Sequence, residues 1–576
     1  MNPPRLDFRN TNALWGSVVA ETLVRCGVKQ AVISPGSRST PLTVAFAAHP
    51  QLEAIPVLDE RSAAFFALGL AKRSRRPVVL LCTSGTAGAN YYPAVIEAQE
   101  SGVPLLVITA DRPPEMRACA SGQTIDQQKL FGAHVNHYHE LAVPEAKLPL
   151  LAYLRQTVAQ AVERTLQPVA GPVHLNAPFR DPLPPIEDGS ARALAAEITD
   201  EFFSHLAELT APVSHLTVWQ RPVSTRGLIV AGADSTADPA HYANKVWALA
   251  SALGWPVLAD GISVLRHHVG PGAPVVTTYD TILRNEKLAR DLTPRTVLCL
   301  GNWPTSKVLR QWLERSGAEI VLVSSRADNR DALHGRTRHL RAGAESLAVE
   351  KGGATDPAWL AAWRQADATV GTMLRTAPRA GEGIFEGDVT LALAEALPPS
   401  TPVFVASSMP VRDVEYFWPA NDARRPCYFN RGANGIDGTL STALGIAQGG
   451  QPAVLLTGDL AFLHDANGLL LTPKLRGALT VVLINNRGGG IFEHLPVAQF
   501  EPPFEEYFAT PQSVDFQKLC AAHGVEHVAV RGLAQLTTLL TALPAQGIRV
   551  LEVTTDRKRD AALRKKLFAS AAQAAG

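Results

Sequence analysis

The sequence predicts an α/β protein built from three doubly wound parallel sheets. Short apolar runs with the length of buried strands alternate with segments of helical spacing along most of the chain, an order typical of parallel sheets covered by helices. The chain has 576 residues, enough for three or four domains at about 150 residues each. We expect domains at residues 1–187, 188–350 and 351–576, of which the middle one is Rossmann-like.

Composition and charge argue against several classes of protein. The 54 Lys and Arg residues nearly balance 53 Asp and Glu residues, so no overall field attracts nucleic acid or a membrane surface. No uncharged run reaches about 18 residues, and the N-terminus has no apolar signal core. The six cysteines lack Cys-x-x-Cys spacing, as is usual for core thiols in a reducing compartment. We therefore expect a cytoplasmic protein with no nucleic-acid partner and no stable membrane insertion.

Two strand–helix junctions in the first domain contain candidate site residues. In PGSRSTPL, residues 35–42, hydroxyl groups, the Arg38 guanidinium and the free backbone N–H groups of a helix start can converge on an anion. An ordinary Ser or Thr N-cap beside an exposed Arg explains the same string at least as well. Glu60 stands where a short strand meets the next helix. An acid in a first helical turn is most often only stabilised by the helix dipole.

The middle domain repeats the alternation of strands and helices more loosely. Predicted strands at Gly227–Ala231 and Thr296–Gly301 bracket a helix near Ala240–Leu253. The turn AGAD at residues 231–234 follows the first of these strands, but it lacks the full Gly-x-Gly-x-x-Gly pattern. We therefore assign no dinucleotide to this domain.

Two apolar runs in the third domain end at residues suited to a metal-diphosphate site. The run Ala453–Thr457 ends at Gly458-Asp459, and a second run ends at Asn485-Asn486. Mg²⁺ takes six hard oxygens, commonly one carboxylate with neutral oxygens, waters and phosphates. Asp459 would supply the carboxylate, the Asn486 amide a second oxygen and a carbonyl of residues 487–488 a third. The glycine run 488–490 would let the backbone approach phosphates. A plain strand-end turn and loop is the alternative.

Longer strings carry a resemblance to a known family. The pair GD and NN, with 26 residues from Asp459 to Asn485, resembles the thiamine-diphosphate fingerprint, although Leu460 stands where Gly is usual. The chain also contains, in order, PGSRSTPL, DERSAAFFALGLAK, TSGTAGANYYPAV, GPVHLNAPFRDPL and NRGANGIDGTLSTALG. These strings resemble the menaquinone-pathway 2-succinyl-5-enolpyruvyl-6-hydroxy-3-cyclohexene-1-carboxylate synthases. That family is part of the thiamine-diphosphate enzymes of the pyruvate-oxidase and acetolactate-synthase type.

The resemblance implies an activity, cofactors and partners. A transferase of this kind decarboxylates 2-oxoglutarate and adds the succinyl-semialdehyde carbanion to isochorismate, using thiamine diphosphate with Mg²⁺ or Mn²⁺. The first and third domains would bind the aminopyrimidine and the diphosphate, respectively. A homodimer or a dimer of dimers would have its sites at subunit interfaces. Another 2-oxo acid decarboxylase or an acetolactate-synthase-like carboligase of the same cofactor class is the alternative, and so is a non-catalytic protein that kept the fold.

The resemblance also assigns roles to single residues. Glu60 would relay a proton to N1′ of the aminopyrimidine, and Ile436 would wedge the cofactor into a bent form. Gly122 stands where related sequences commonly have Asn, which puts one substrate hydrogen bond in doubt. The catalytic residues would be Glu60, Arg38, Gln123, Arg412 and Arg431. Those binding cofactor would be Glu60, Ile436, Gly458, Asp459, Asn486 and Gly488, with Asp459, Asn486 and Gly488 on the metal. Those binding substrate would be Ser37, Arg38, Arg112, Gln123, Lys307, Ser408, Arg412, Arg431, Ile491, Phe492 and Leu495.

Overall fold

The computed structural model describes residues 5–208, 216–234, 236–350, 352–379 and 383–576. Residue 351, where we expect the third domain to begin, lies outside these ranges, and the expected domain boundaries stay a prediction. The chain forms two compact units, described separately below. The first unit contains residues 1–212, 430–450 and 464–476, and the second unit contains residues 213–429, 451–463 and 477–576.

The first unit is built on a six-stranded parallel sheet. Its strands are β1 (Gln30–Ile33), β2 (Glu53–Pro56), β3 (Val78–Cys82), β4 (Leu105–Asp111), β5 (His137–Glu140) and β6 (Val173–Pro178). They are ordered β2-β1-β3-β4-β6-β5. Its helices are α1 (Thr11–Arg25), α2 (Thr40–Ala48), α3 (Glu60–Ser74), α4 (Ala87–Asn90), α5 (Tyr92–Ser101) and α6 (Leu148–Leu166).

Helices cover both faces of this first sheet. Strand β3 is buried along its whole length, and its side chains alternate between the two faces. Val79 shares a core with Leu14 of α1 and Leu154 of α6, whereas the fully buried Leu80 lies outside that core. Helix α3 contacts β1 and β3. The apolar runs of the sequence are therefore the inner strands of a doubly wound sheet.

A second six-stranded parallel sheet opens the second unit. Its strands are ordered β10-β9-β8-β11-β12-β13, and a small separate sheet pairs β14 with β7. The bounds are β7 (Thr217–Trp219), β8 (Gly227–Ala231), β9 (Val257–Ala259), β10 (Val275–Val276), β11 (Thr296–Leu300), β12 (Glu319–Val323), β13 (Arg336–Leu340) and β14 (Leu347–Val349). The helices are α7 (Pro239–Leu253), α8 (Tyr279–Ile282), α9 (Glu286–Asp291), α10 (Lys307–Ser316) and α11 (Pro357–Thr376).

The third parallel sheet has the order β16-β15-β17-β18-β20-β19. Its strands are β15 (Val403–Val405), β16 (Cys427–Phe429), β17 (Ala453–Gly458), β18 (Ala478–Asn485), β19 (Glu526–Ala529) and β20 (Gly547–Thr554). The helices of this part of the chain are α12 (Glu386–Ala396), α13 (Met409–Phe417), α14 (Thr439–Ala447), α15 (Asp459–His464), α16 (Phe516–Ala522), α17 (Leu533–Thr541) and α18 (Arg557–Ala575). With three six-stranded parallel sheets, the predicted α/β fold class is confirmed.

The connection from β17 to β18 differs in detail from the expectation. The sequence indicates one helix over Asp465–Lys474, but the chain first forms the short α15 and then a 3-10 helix at Ala466–Lys474. Pro473 lies inside that 3-10 helix, where it has no N–H to donate to a preceding turn. The C-terminal helix α18 continues to Ala575. None of the helices in the described ranges has the length and apolar character needed to span a membrane.

Candidate active site

Asp459 stands at the carboxyl end of a central strand of the third sheet. Gly458, the last residue of β17, pairs with Ile484 of β18, so the residues that follow each strand meet at one edge of the sheet. The Asp459 carboxylate accepts hydrogen bonds from the backbone N–H groups of Leu460 and Gly488, both at 2.8 Å. Burial raises the pKa of Asp459 to about 6, although these two backbone N–H groups favour the charged form.

Asn486 directs an unpaired oxygen toward solvent-excluded space at the same edge. The residue is buried, and its amide nitrogen donates to Oε1 of Glu386 at 2.7 Å. Its amide oxygen is buried and has no hydrogen-bond partner among the described residues. Buried oxygens of this kind are normally satisfied, so an unsatisfied one indicates a missing partner. A hard cation that accepts neutral oxygen ligands suits this atom.

Glycine leaves room for neighbouring atoms at two positions of residues 487–490. Gly488 has a φ of +135°, and a Cβ added there would lie 2.3 Å from the Ala509 carbonyl oxygen. A Cβ on Gly490 would lie 2.7 Å from the amide nitrogen of Asn486. The Arg487 carbonyl accepts from Arg557 at 3.0 Å. The Gly488 carbonyl likewise accepts from the Gly490 backbone N–H at 2.9 Å, so each of the two carbonyls considered for the metal keeps one free lone pair. Gly458 has open space around its α-carbon.

This donor set fits a hard cation such as Mg²⁺ or Mn²⁺ and not a softer metal such as zinc or copper. No group of three or more His, Cys, Asp or Glu side chains capable of holding a metal occurs in the described parts of the chain. The oxygens available are one carboxylate, one amide and one carbonyl. Hard oxygen ligands with a single negative charge suit Mg²⁺ bound together with phosphate groups.

The predicted substrate residues of the second unit lie partly near this edge. Ser408 and Arg412 follow β15, the neighbour of β17, and Arg412 donates to the Ser408 carbonyl at 2.6 Å. Ser408 has a φ of +73° at the start of α13, a strained conformation for a residue with a side chain. Burial lowers the pKa of Arg412, and nearby Arg310 of α10 lowers it further.

The other predicted substrate residues of the second unit are three apolar side chains and one lysine. Ile491, Phe492 and Leu495 are half-buried just after the glycine run, and the Phe492 ring packs edge-on against Phe508 with centroids 5.8 Å apart. Lys307 is exposed at the first position of α10. It makes no hydrogen bond or ion pair with the other predicted site residues within the described part of the second unit.

In the first unit, Arg38, Arg112 and Gln123 gather around the turn after β3. The Arg38 backbone N–H donates to the Thr83 hydroxyl, and its guanidinium donates to the Phe179 carbonyl at 3.0 Å. Arg112 donates to the Ser84 hydroxyl and to the Gln123 carbonyl, both at 2.8 Å. These contacts bring two guanidinium groups to one end of the first sheet.

The remaining groups at this end are more open. Nε of the buried Arg38 has no hydrogen-bond partner in the described part of the chain, and Ser37 is exposed beside it. Gly122 and Gln123 are exposed, and a Cβ added at Gly122 would meet nothing within 4 Å. An Asn side chain would therefore fit at this position.

Glu60, Arg431 and Ile436 also belong to the first unit. Glu60 is the half-buried first residue of α3, next to the N-cap Asp59. Arg431 and Ile436 are half-buried in the segment before α14. This segment is held by the buried Glu97, which accepts from the backbone N–H groups of Gly432 and Ala433 at 3.0 and 2.7 Å. Glu97 cannot be recognised from the sequence, because an acid on an amphipathic helix looks like a surface residue.

Two further charged residues escape prediction from the sequence. Glu386 and Arg564 are 3% and 2% exposed, and they are joined by a 3.0 Å hydrogen bond. Glu386 contacts Asn486, which is 100 residues away along the chain. One feature of the sequence could have indicated this buried pair. Arg564 lies one helical turn after Asp560, on the side of α18 that also carries the buried Leu567 and Phe568.

Comparison with known proteins gives full-length matches. The N-terminal TPP binding domain of thiamine pyrophosphate enzymes matches residues 15–130, their middle domain residues 199–405 and their C-terminal TPP binding domain residues 412–553. A 2-succinyl-5-enolpyruvyl-6-hydroxy-3-cyclohexene-1-carboxylate synthase of Synechococcus sp. (strain JA-3-3Ab) is 52% identical, covering 98% of this chain and 97% of that relative. Synthases of the same name from Gloeothece citriformis (strain PCC 7424) and Nostoc sp. (strain PCC 7120) are each 50% identical, covering 96% and 97% of this chain and 97% of each relative.

Proposed function

Because this chain belongs to the 2-succinyl-5-enolpyruvyl-6-hydroxy-3-cyclohexene-1-carboxylate synthase family of thiamine-diphosphate enzymes, we propose that it makes that product. The reaction joins 2-oxoglutarate, after loss of its 1-carboxyl group as CO₂, to isochorismate. One observation supports the proposal most strongly. The unpaired amide oxygen of Asn486 lies at the same sheet edge as the buried carboxylate of Asp459, as a metal-diphosphate site requires.

The proposed metal ligands are the side chains of Asp459 and Asn486 with the carbonyl of Gly488. They would hold Mg²⁺, or Mn²⁺ in its place, against the diphosphate of the cofactor. Gly458, with open space around it, would let the diphosphate approach the backbone. Thiamine diphosphate, once bound, supplies the electron sink for decarboxylation and carbon–carbon bond formation. The chain supplies binding, orientation and proton transfer.

The proposed role of Glu60 is to hold a proton at N1′ of the aminopyrimidine. Its place in the first turn of α3 fixes the carboxyl group at one end of a rigid helix, as a positioned acid–base group requires. Ile436 would press against the cofactor and keep it bent. Ile491, Phe492 and Leu495 would exclude water from the reacting carbon atoms.

The substrates are both dicarboxylates, and arginine binds carboxylates with paired, charge-assisted hydrogen bonds. Arg38 and Arg112 would act from the first unit with Ser37 and Gln123, and Arg431 would act with them. Arg412, Ser408 and Lys307 would act from the second unit. A carboligase for monocarboxylic 2-oxo acids has no need for so many cations, which favours the synthase over that alternative.

We propose a homodimer or a dimer of dimers in which Glu60 of one chain and Asp459 of another serve the same cofactor. The proposed compartment is the cytoplasm. All six cysteines are free thiols, as expected in a reducing environment. Neither nucleic acid nor a membrane is a proposed partner, since the net charge is only +1.

The experiment that tests this function identifies the product by mass. The protein is incubated with thiamine diphosphate, Mg²⁺, isochorismate and either 2-oxoglutarate or pyruvate. We expect the named product from 2-oxoglutarate and CO₂ in equal amount, with no adduct from pyruvate. An adduct formed only from pyruvate would assign the chain to the acetolactate-synthase-like alternative.

A further inference from the structure

Glu386 lies directly behind the proposed metal ligand Asn486. It is the first residue of α12, and its Oε1 accepts from the Asn486 amide nitrogen at 2.7 Å and from the Thr555 hydroxyl at 3.2 Å. Both Glu386 and Asn486 are buried. Gly490 leaves the space that the amide nitrogen occupies, since a Cβ at this position would lie 2.7 Å from it.

The chemistry of this pair decides which way the amide points. An ionised carboxylate only accepts hydrogen bonds, whereas an asparagine amide has a donor end and an acceptor end. The donor end must therefore face Glu386. The amide oxygen consequently faces away, where it is buried and unpaired. Without a fixed acceptor behind it, the amide could rotate by 180° and present nitrogen, which is not a ligand for Mg²⁺.

The carboxyl group of Glu386 is in turn held by Arg564 of α18. One guanidinium nitrogen, Nη2, donates to Glu386 Oε2 at 3.0 Å and to Asp413 Oδ1 at 2.8 Å. The other terminal nitrogen, Nη1, donates to the ring nitrogen of His494 at 3.2 Å. Buried polar groups need hydrogen-bond partners of this kind. Arg564 thus holds the Glu386 carboxyl group in place behind Asn486.

We propose that Glu386 is a positioning residue for the metal site and that Arg564 holds the Glu386 carboxyl group in place. Glu386 selects the orientation of the Asn486 amide in which oxygen faces the cation, before the cation binds. This inference rests on the proposed metal site. It adds that the site also requires a residue that does not itself bind the metal. Outer partners of metal ligands act in this way by orienting the ligand.

The test first replaces the acid Glu386 by an amide and then exchanges acid and amide between Glu386 and Asn486. Mn²⁺ is titrated into the protein in the presence of thiamine diphosphate, and free Mn²⁺ is measured by electron paramagnetic resonance. In Glu386→Gln the new amide can also donate, so both orientations of Asn486 become acceptable. We expect Mn²⁺ affinity to fall by about tenfold to a hundredfold.

In the double variant Glu386→Gln with Asn486→Asp, the amide donates to the new carboxylate, whose other oxygen faces the cation. We expect most of the affinity to return.

Glu395→Gln is the matched control, because Glu395 is an exposed acid on the same helix α12. It should bind Mn²⁺ like the wild type. Failure of the wild type itself to bind Mn²⁺ would refute the proposed metal site. A wild type that binds, with equal affinity in a folded Glu386→Gln variant, would refute the positioning role alone. If Glu386→Gln does not fold, the double variant decides, since a folded exchanged pair that does not bind Mn²⁺ contradicts the inference.

Discussion

Gly69 of α3 and Gly445 of α14 meet with their backbones in contact. A Cβ on Gly69 would lie 3.0 Å from the Gly445 α-carbon, and a Cβ on Gly445 would lie 2.1 Å from the Phe66 carbonyl oxygen. Both helices belong to the first unit. Helix α3 begins with Glu60, and α14 follows the segment that contains Ile436. The close crossing therefore fixes the helices next to two residues proposed to hold the cofactor.

We predict that Gly445→Ala destabilises the protein. The atoms in the way belong to the backbone of α3 and cannot rotate aside, so the helices must separate. The expected loss is about 1–3 kcal/mol in the free energy of unfolding, as for other overpacked interfaces. Denaturant titration measures it. Gly371→Ala in α11 is the control, because its new Cβ would meet only side chains, the flexible end of Arg375 at 3.3 Å and the Thr278 methyl group at 3.9 Å. If the two variants are equally stable, the α3–α14 contact is not as close as described.

A second prediction concerns the buried Asp465. Burial raises its pKa to about 7, while the Ser441 backbone N–H and hydroxyl, which bond it at 2.6 and 3.0 Å, act in the opposite direction. Between the usual pKa of 3.8 and about 7, the folded protein binds more protons than the unfolded chain. Stability from this group is therefore fully present below the lower value and is lost as the pH rises through the upper one.

Asp465→Asn tests this dependence, because the amide stays neutral and can keep both contacts with Ser441. We expect the stability of the wild type relative to the variant to fall between about pH 4 and pH 7. Thermal unfolding over this pH range measures it. A relative stability that does not change with pH would mean that Asp465 stays charged in the folded protein.

The sequence predicts best where the chemistry is local. Asp459 and Asn486 each follow an apolar run, and parallel strands bring such residues to one edge. The bounds of β8 agree with the predicted strand Gly227–Ala231 for the same reason. Glu386 and Arg564 could not be predicted, because their burial depends on contacts between distant parts of the chain. Glu386 lies 100 positions before Asn486 and 178 positions before Arg564. The 3-10 conformation at Ala466–Lys474 was missed because helical spacing alone does not distinguish 3-10 from α-helix.

A third prediction is that Arg412 contributes to substrate binding and little to the stability of the fold. If its guanidinium holds a substrate carboxylate, Arg412→Ala should weaken substrate binding by about 1.5–3 kcal/mol, the worth of a charge-assisted hydrogen bond. The melting temperature should change little, because the described contact of the side chain is with the nearby Ser408 carbonyl. Steady-state kinetics and thermal unfolding measure the two effects. Arg424→Ala, at an exposed position, is the control. A large loss of stability with unchanged Michaelis constants would make Arg412 structural.

A fourth prediction follows from the proposed sharing of the cofactor between chains. Asp459→Ala removes the only carboxylate of the metal site, and Glu60→Gln removes the proton carrier. Each variant alone should be inactive. Mixed under conditions in which subunits exchange, the two should regain activity, because some mixed dimers contain one site with both native residues. If exchange is verified by native mass spectrometry and no activity returns, Glu60 and Asp459 serve the cofactor from the same chain.

The central claim is that this chain activates thiamine diphosphate through the carboxyl group of Glu60. The most direct measurement is the exchange of the cofactor C2 proton with deuterated water, followed by NMR after acid quench. In Glu60→Gln the cofactor should still bind, and exchange should slow by roughly 10²–10⁴, the effect of losing a general acid–base group. Glu163→Gln, at an exposed position on α6, should exchange like the wild type. Exchange at the wild-type rate in Glu60→Gln, with cofactor bound, would contradict the claim.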